Sequence, residues 1–362
     1  MSLAPPRAEL REYVDALWAA VRDGDEHAAG EVATAALAAG LDEESLLLDV
    51  IGTVQRTVGQ EWAANRLTVA QEHTATAIND RVIAALAHRP GRRRADSRGR
   101  VTVACVDGEW HALPARLLAE VLTLRGFAVD YLGAQVPAPH LIAHLHRTGP
   151  DAVALSSSIA TRLPTAHATI TACQAAGVPV IAGGAAFGPD GRYARLLGAE
   201  AWEPDARAAA DRLSAEPLPR PGPGGHQVLD HLPHLADQEY TMVSRNSAQL
   251  VKAVFTGLER DTSAMRQDTD LQRQHTADDL AHIVEFLATA LYVGDPALFG
   301  GFLTWTADIL TARGVPVQSL VPAVRLLEVE LRDFPRATEM LARARAQVGR
   351  HTAAVAEPGK PA

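Results

Sequence analysis

The sequence predicts a multidomain protein: a four-helix bundle, then a Rossmann-like α/β domain, then an all-α domain. Three observations predict it. Apolar residues recur at helical spacing through the first segment, β-rich apolar runs alternate with helical stretches in the middle, and long helical patterns fill the last third. Two linkers separate these segments. Arg89 to Arg100 reads RPGRRRADSRGR, and Glu216 to Gly225 reads EPLPRPGPGG. The first carries six arginines and the second is too dense in proline and glycine for helix or strand. The domains expected are residues 1–89, 99–215 and 225–353.

In the first segment Leu10, Val14, Leu17, Trp18 and Val21 mark one helix, and HAAGEVATAALAAG marks a second that ends at Gly40. A third is expected from Asp42 through Leu46, Val50, Val54 and Val58 to Trp62. The fourth opens on Thr68-Val69-Ala70-Gln71, a capping box. Short connections between four such helices imply an antiparallel bundle. In the middle segment VTVACV (101–106), AVDYL (128–132), AVALS (152–156) and PVIAGG (179–184) read as strands, with helices starting near Pro114, Ala138 and Thr165. That alternation implies a parallel sheet whose ligands bind at the carboxyl ends of its strands. In the last segment helices are expected over Tyr240–Asp261, Thr276–Val293, Pro296–Arg313, Val317–Phe334 and Pro335–Val348.

Composition narrows the function. The 362 residues carry 43 acidic and 34 basic side chains, a balance that argues against a dedicated nucleic-acid binder. Two cysteines cannot form a disulfide scaffold. No secretion signal or membrane-spanning run is visible, so the expected compartment is the cytoplasm. The loop after the first strand, Asp107-Gly108-Glu109-Trp110-His111, has one glycine and a bulky tryptophan. It lacks the closely spaced glycines of a dinucleotide site. A phosphorylated receiver needs an aspartate after the third strand, where Ser156, Ser157 and Ser158 stand instead. No nucleophile elbow, P-loop or paired-carboxylate site is seen, and no enzymatic output is expected. His140, His144 and His146, and likewise His226, His231 and His234, read as solvated faces rather than metal sites.

What the loop offers is a histidine beside a carboxylate, which can hold one ring nitrogen while the other binds a metal. Glu109-Trp110-His111-Ala112-Leu113-Pro114 is followed after 41 residues by Ser156-Ser157-Ser158, and later by Gly183-Gly184. This set resembles the Asp-x-His-x-x-Gly, Ser-x-Leu and Gly-Gly motifs of the cobalamin-binding domains of methionine synthases, corrinoid proteins and CarH-type light-sensing regulators. It departs from them at Glu109, Pro114 and Ser158. The resemblance implies that His111 is the lower cobalt ligand and Glu109 its hydrogen-bonded support. It further implies that Ser156, with Ser158 beside it, meets the displaced nucleotide tail, and that Gly183 and Gly184 leave room for that tail.

Trp62 and Glu72-His73 match the Trp-x9-Glu-His pattern of the CarH-type bundle, in which the tryptophan covers an adenosyl group and the glutamate hydrogen-bonds it. The implied cofactor is adenosylcobalamin. Where CarH-type proteins place a cobalt-ligating histidine after the tryptophan, this chain has Ala63, and His73 is the substitute considered. The amino-terminal DNA-binding domain of CarH-type proteins has no counterpart before the bundle, so direct nucleic-acid contact is not expected.

The order of bundle, cobalamin domain and helical domain resembles the photocobilins, photoreceptors that pair a cobalamin unit with a truncated-globin-like domain holding biliverdin. A globin-like fold and noncovalent biliverdin are therefore implied for the last domain. The candidate walls are Tyr240, Phe286, Tyr292, Phe299 and Trp305. Arg245, Lys252, Arg260 and Arg313 are the candidate propionate partners, and His282 is a pyrrole contact or haem ligand. The reading is a light sensor whose small-molecule chromophores drive a change in homo-oligomeric assembly. The rivals are a corrinoid methyl-transfer shuttle and a cobalamin protein fused to a haem-binding globin-like sensor.

Overall fold

The computed structural model describes residues 7–89, 98–222, 232–261, 269–315, 317 and 320–356. It divides into two compact units, residues 1–227 and 228–362. His226, His231, residues 90–97 of the first linker and residues 223–225 of the second lie outside the described residues. Among the described residues no helix is long and apolar enough to cross a membrane.

The first unit opens with the helical cap. Helices α1 (Arg7–Arg22), α2 (Glu26–Ala38), α3 (Glu43–Ser45), α4 (Gly52–Ala63) and α5 (Val69–Ala87) bury Leu17, Val21, Ala33, Val54, Ile78 and Ile83 against one another. The helix expected to run unbroken from Asp42 is interrupted. Leu46–Ile51 is a π-helix, and the Gly52 amide donates to the Leu47 carbonyl. The wider turn lets Leu46, Leu47, Val50 and Ile51 all face the core, a set too broad for one stripe of a regular helix. The capping box at Thr68 and Gln71 is present, each side chain bonding the other's backbone amide.

The Rossmann-like domain follows as β1 (Arg100–Cys105), α6 (Leu113–Leu124), β2 (Ala128–Gly133), α7 (Ala138–Thr148), β3 (Ala152–Ser156), α8 (Leu163–Ala175), β4 (Val180–Gly183), α9 (Arg192–Leu196), β5 (Ala201–Trp202) and α10 (Ala206–Ala215). The strands are parallel in the order β2-β1-β3-β4-β5. β5 has two residues, too few for a periodic signal, and was not expected from the sequence. The register pairs Cys105 with Ser156 and Ser156 with Gly183. The loops that follow these residues therefore emerge side by side at one edge.

Cap and sheet domain share a continuous apolar core and an ionic clamp. Arg125, at the end of α6, bonds both oxygens of Glu44 in α3 at 2.7 and 2.9 Å. Arg207 in α10 reaches Asp49 at 2.9 Å and Glu44 at 3.3 Å.

The second unit is helical: α11 (Glu239–Arg245), α12 (Ser247–Asp261), α13 (Asp270–Val293), α14 (Pro296–Ala312), α15 (Leu320–Glu330) and α16 (Pro335–Ala356). The single helix expected over Tyr240–Asp261 breaks at Asn246, whose side-chain amide donates to the Met242 carbonyl at 2.8 Å. Such side-chain bonding competes with the helix ladder. α13 starts before the expected Thr276 because Thr269 and Gln272 form a second capping box. Phe299, Leu287, Leu303 and Leu341 form the centre of this unit's core.

Candidate functional site

The loop between β1 and α6 is built around one carboxylate. Glu109 is wholly buried, and both its oxygens are used. Oε1 accepts from the His111 amide at 2.9 Å and lies 2.7 Å from His111 Nδ1. Oε2 accepts from the Ser157 hydroxyl at 3.0 Å and from the amides of Ser158 and Ile159 at 2.6 and 3.1 Å. Burial alone would raise the carboxyl's pKa, but the bonds from His111, Ser158 and Ile159 outweigh it and hold the value down to about 2. Glu109 is thus an anion that anchors the β1 loop to the β3 loop.

His111 is the exposed end of this assembly. With Nδ1 committed to Glu109, its side chain is 56% exposed and presents Nε2 outward. The bond to Glu109 raises its pKa and burial opposes that rise; the charges of Glu109 and Glu72 add to it. Glu72 belongs to α5, so the cap brings its carboxylate within electrostatic range of the imidazole. Beneath the loop, burial and the charge of Glu109 push the Cys105 thiol up to about 12.

Glu72 is itself held. Its carboxylate pairs with the exposed His73 at 2.7 Å and accepts from the Thr76 hydroxyl at 2.9 Å. Thr76 accepts from the Gln55 amide at 2.7 Å, and the Gln55 carbonyl accepts from Asn79 at 2.8 Å. This relay from α4 through α5 was not read from the sequence. Polar residues four apart on a helix look like a solvated face until the partner helix is known. Trp62, near the end of α4, is partly buried against the cap core. Trp110 is 71% exposed beside His111.

The remaining expected residues line the strand ends. Ser156 is buried at the end of β3, with its carbonyl bonded to the Val106 amide. Ser157 was not singled out, yet it is the serine whose hydroxyl meets Glu109; Ser158 contributes its amide. Gly184 has φ +99° and a Cβ there would collide with the Ser157 carbonyl, whereas Gly183 has room beside the Glu203 carbonyl. Only Gly184 is required by the backbone. His144, expected on a solvated face, is instead largely buried against Asp130 at 3.1 Å, which in turn pairs with Arg100.

In the second unit the expected residues do not converge on one opening. Phe299 is a core side chain. Tyr292 is buried, stacked on His234 at 4.0 Å and edge-on to Tyr240 at 4.8 Å. Phe286 and Phe302 stack at 3.7 Å, and Trp305, 48% exposed, lies 6.3 Å from Phe302. His282 is exposed and pairs with Glu285 at 3.8 Å. Arg245 is exposed at the end of α11.

No cluster of three or more metal-ligating side chains occurs among the described residues. A bare ion needs several protein ligands, but one carboxylate-anchored imidazole suits a metal already held in plane by a macrocycle. The donor set therefore fits a corrin. The comparisons agree. Residues 99–211 match the B12 binding domain family, and residues 13–87 match a second family of the same description. The chain is 25% identical over 214 residues to the trimethylamine corrinoid protein of Methanosarcina barkeri, covering 58% of this chain and 98% of that protein. It is 32% identical over 190 residues to the HTH-type transcriptional repressor CarH of Myxococcus xanthus, covering 51% of this chain and 60% of that protein. Among solved structures, the monomethylamine corrinoid protein of M. barkeri matches with a TM-score of 0.47 at 19% identity, over 57% of this chain and 98% of that one. Residues 13–87 and 99–211 are a cobalamin-binding module, a helical cap followed by a Rossmann-like B12-binding domain.

Proposed function

We propose that the protein is a light sensor, not an enzyme, which holds adenosylcobalamin between the cap and the strand ends and passes the signal on by a change in homo-oligomeric assembly. The observation that carries this reading is the position of Glu72 on the cap, held by the Thr76 hydroxyl at 2.9 Å, which the Gln55 amide holds in turn. His111 would hold the cobalt through Nε2, with Glu109 fixing its tautomer and orientation. Trp62 would cover the adenosyl group from the cap, and Glu72 would accept hydrogen bonds from its hydroxyls. When bound, adenosylcobalamin supplies a cobalt–carbon bond that visible light breaks. Loss of the adenosyl group would remove the contact of Trp62, and the cap would act as a two-state element biased by that loss. The helical unit is proposed to carry biliverdin in a globin-like fold, on the partly exposed face of Phe286, Phe302 and Trp305, as a second chromophore.

The match along nearly the whole M. barkeri trimethylamine corrinoid protein favours a second reading, a methyl-transfer shuttle that docks an enzyme. One experiment separates them. The full-length protein is loaded in darkness with adenosylcobalamin or methylcobalamin and sedimented before and after green light. A sensor changes its sedimentation coefficient on illumination of the adenosyl form and prefers that form. An unchanged coefficient, or a preference for methylcobalamin, sinks the sensor and supports the shuttle.

A further inference from the structure

Glu72 stands at the end of a one-way chain of hydrogen bonds. Asn79, wholly buried in α5, donates through its amide to the Gln55 carbonyl of α4 at 2.8 Å. The Gln55 amide donates to the Thr76 hydroxyl at 2.7 Å, and Thr76 donates to Glu72 Oε1 at 2.9 Å. The direction is set at the carboxylate. A carboxylate only accepts and a hydroxyl has one proton to give, so Thr76 must accept from Gln55, and the Gln55 carbonyl must accept from Asn79. The arrangement carries a cost, because Asn79 Oδ1 is left buried with no hydrogen-bond partner among the described residues. Apolar side chains of the same shape would join α4 to α5 without that cost. Packing of the two helices therefore does not call for the chain, whereas a carboxylate that must be held still does.

The chain also spans the two residues assigned to the upper face. Gln55 precedes Trp62 by seven residues, about two turns of α4, so both lie on one side of that helix. The hydrogen bonds thus tie the side of α4 that carries Trp62 to the turn of α5 that carries Glu72, and bonds that all point one way strengthen one another. We propose that Thr76, Gln55 and Asn79 are positioning residues that set the preference for the upper cobalt ligand. They hold Glu72 in one orientation toward the adenosyl hydroxyls and touch no cofactor themselves. A methyl group offers no hydroxyl, so the chain favours the adenosyl form alone. This inference rests on the reading that Glu72 accepts from the adenosyl group.

The test is the ratio of affinities for adenosylcobalamin and methylcobalamin, from absorption titrations of the full-length protein in darkness. Thr76→Val keeps the shape and removes the hydroxyl. It should lower the adenosyl-to-methyl ratio by about threefold to tenfold and leave methylcobalamin affinity unchanged. Gln55→Met should reproduce that loss, and Thr76→Ser should restore the wild-type ratio. In a Glu72→Ala background Thr76→Val should change the ratio no further, because its effect passes through Glu72. Equal weakening of both cobalamins would make the chain a brace between α4 and α5 and overturn the proposal, as would a wild-type ratio in both Thr76→Val and Gln55→Met. If Glu72→Ala itself keeps the wild-type ratio, the reading of Glu72 fails and this proposal with it. A shifted ratio in Glu72→Ala with none in the other variants sinks the proposal alone. Methylcobalamin binding reports that each variant is folded.

Discussion

The imidazole of His111 and the carboxylate of Glu109 are two residues apart and 2.7 Å apart, one half exposed and the other wholly buried. The buried member is charged and saturated with donors; the exposed member keeps one nitrogen free. Removing the exposed member should therefore change ligation without harming the fold. His111→Ala is expected to fold normally and to lose the imidazole-ligated absorption of bound adenosylcobalamin. An unchanged spectrum would show that another group is the lower ligand.

Glu109→Gln tests the buried member. Glutamine keeps the shape, but whichever way it turns its NH2 would face backbone N–H donors, those of Ser158 and Ile159 or that of His111. About 2–3 kcal/mol of stability should be lost, seen as an earlier denaturant midpoint with an unchanged slope. Cobalamin affinity should fall about 10- to 100-fold, the usual effect of removing a ligand's support. If both quantities stay at wild-type values, Glu109 is not the anchor.

These residues also show how far sequence reasoning reached. Glu109 and His111 were legible because a metal-binding imidazole needs a nearby support, and two residues of separation in a strand-end loop suffice. Ser157 was not, because three consecutive serines give no sign of which hydroxyl turns inward; the sheet register decides it. The capping boxes carry their signal in two side chains, Thr68 with Gln71 and Thr269 with Gln272, so both helix starts are written in the local sequence. The π-helix at Leu46–Ile51 and the break at Asn246 depend on what packs around them, so their periodic patterns looked continuous. The clamp of Glu44 with Arg125 and Arg207 joins residues far apart in sequence, which no local pattern reports.

That clamp gives a pH dependence. The bond from Arg125 lowers the Glu44 pKa; burial works against it, and Arg207 adds to the lowering. Because the folded-state value lies below the unfolded one, the stabilisation is full above the unfolded pKa, roughly 4.3. It disappears as pH falls through the folded value. With both arginines partly exposed, screening limits the contribution to about 1 kcal/mol. Glu44→Gln should destabilise the first unit by that amount at pH 7, with the gap to wild type closing below pH ~4. A gap that persists undiminished in acid would mean packing, not charge, is responsible.

Trp62→Ala probes the upper face. Trp62 packs partly against the cap core and leaves part of its ring uncovered, so truncation removes both cover and some packing. The proposed lid predicts a selective loss: adenosylcobalamin should weaken relative to methyl- and hydroxocobalamin in competition binding. Equal weakening of all three would assign Trp62 to holding the cap together.

The helical unit decides whether a second chromophore is present. It has its own apolar core around Phe299, Leu287 and Leu341, and a clasp in which Arg336 bonds Asp237 at 2.6 Å and the Leu291 carbonyl at 2.6 Å. Residues 225–353 should therefore fold alone. On the biliverdin reading the fragment takes up the pigment noncovalently, since both cysteines lie at 105 and 173, and acid denaturation should release it. The ring face of Phe286, Phe302 and Trp305 is the place to test: Trp305→Ala should lower biliverdin affinity without unfolding the fragment, because that side chain is already 48% exposed. If neither the fragment nor the full-length protein binds biliverdin, and haem binds tightly with a signature lost in His282→Ala, the bilin reading falls and a haem sensor replaces it.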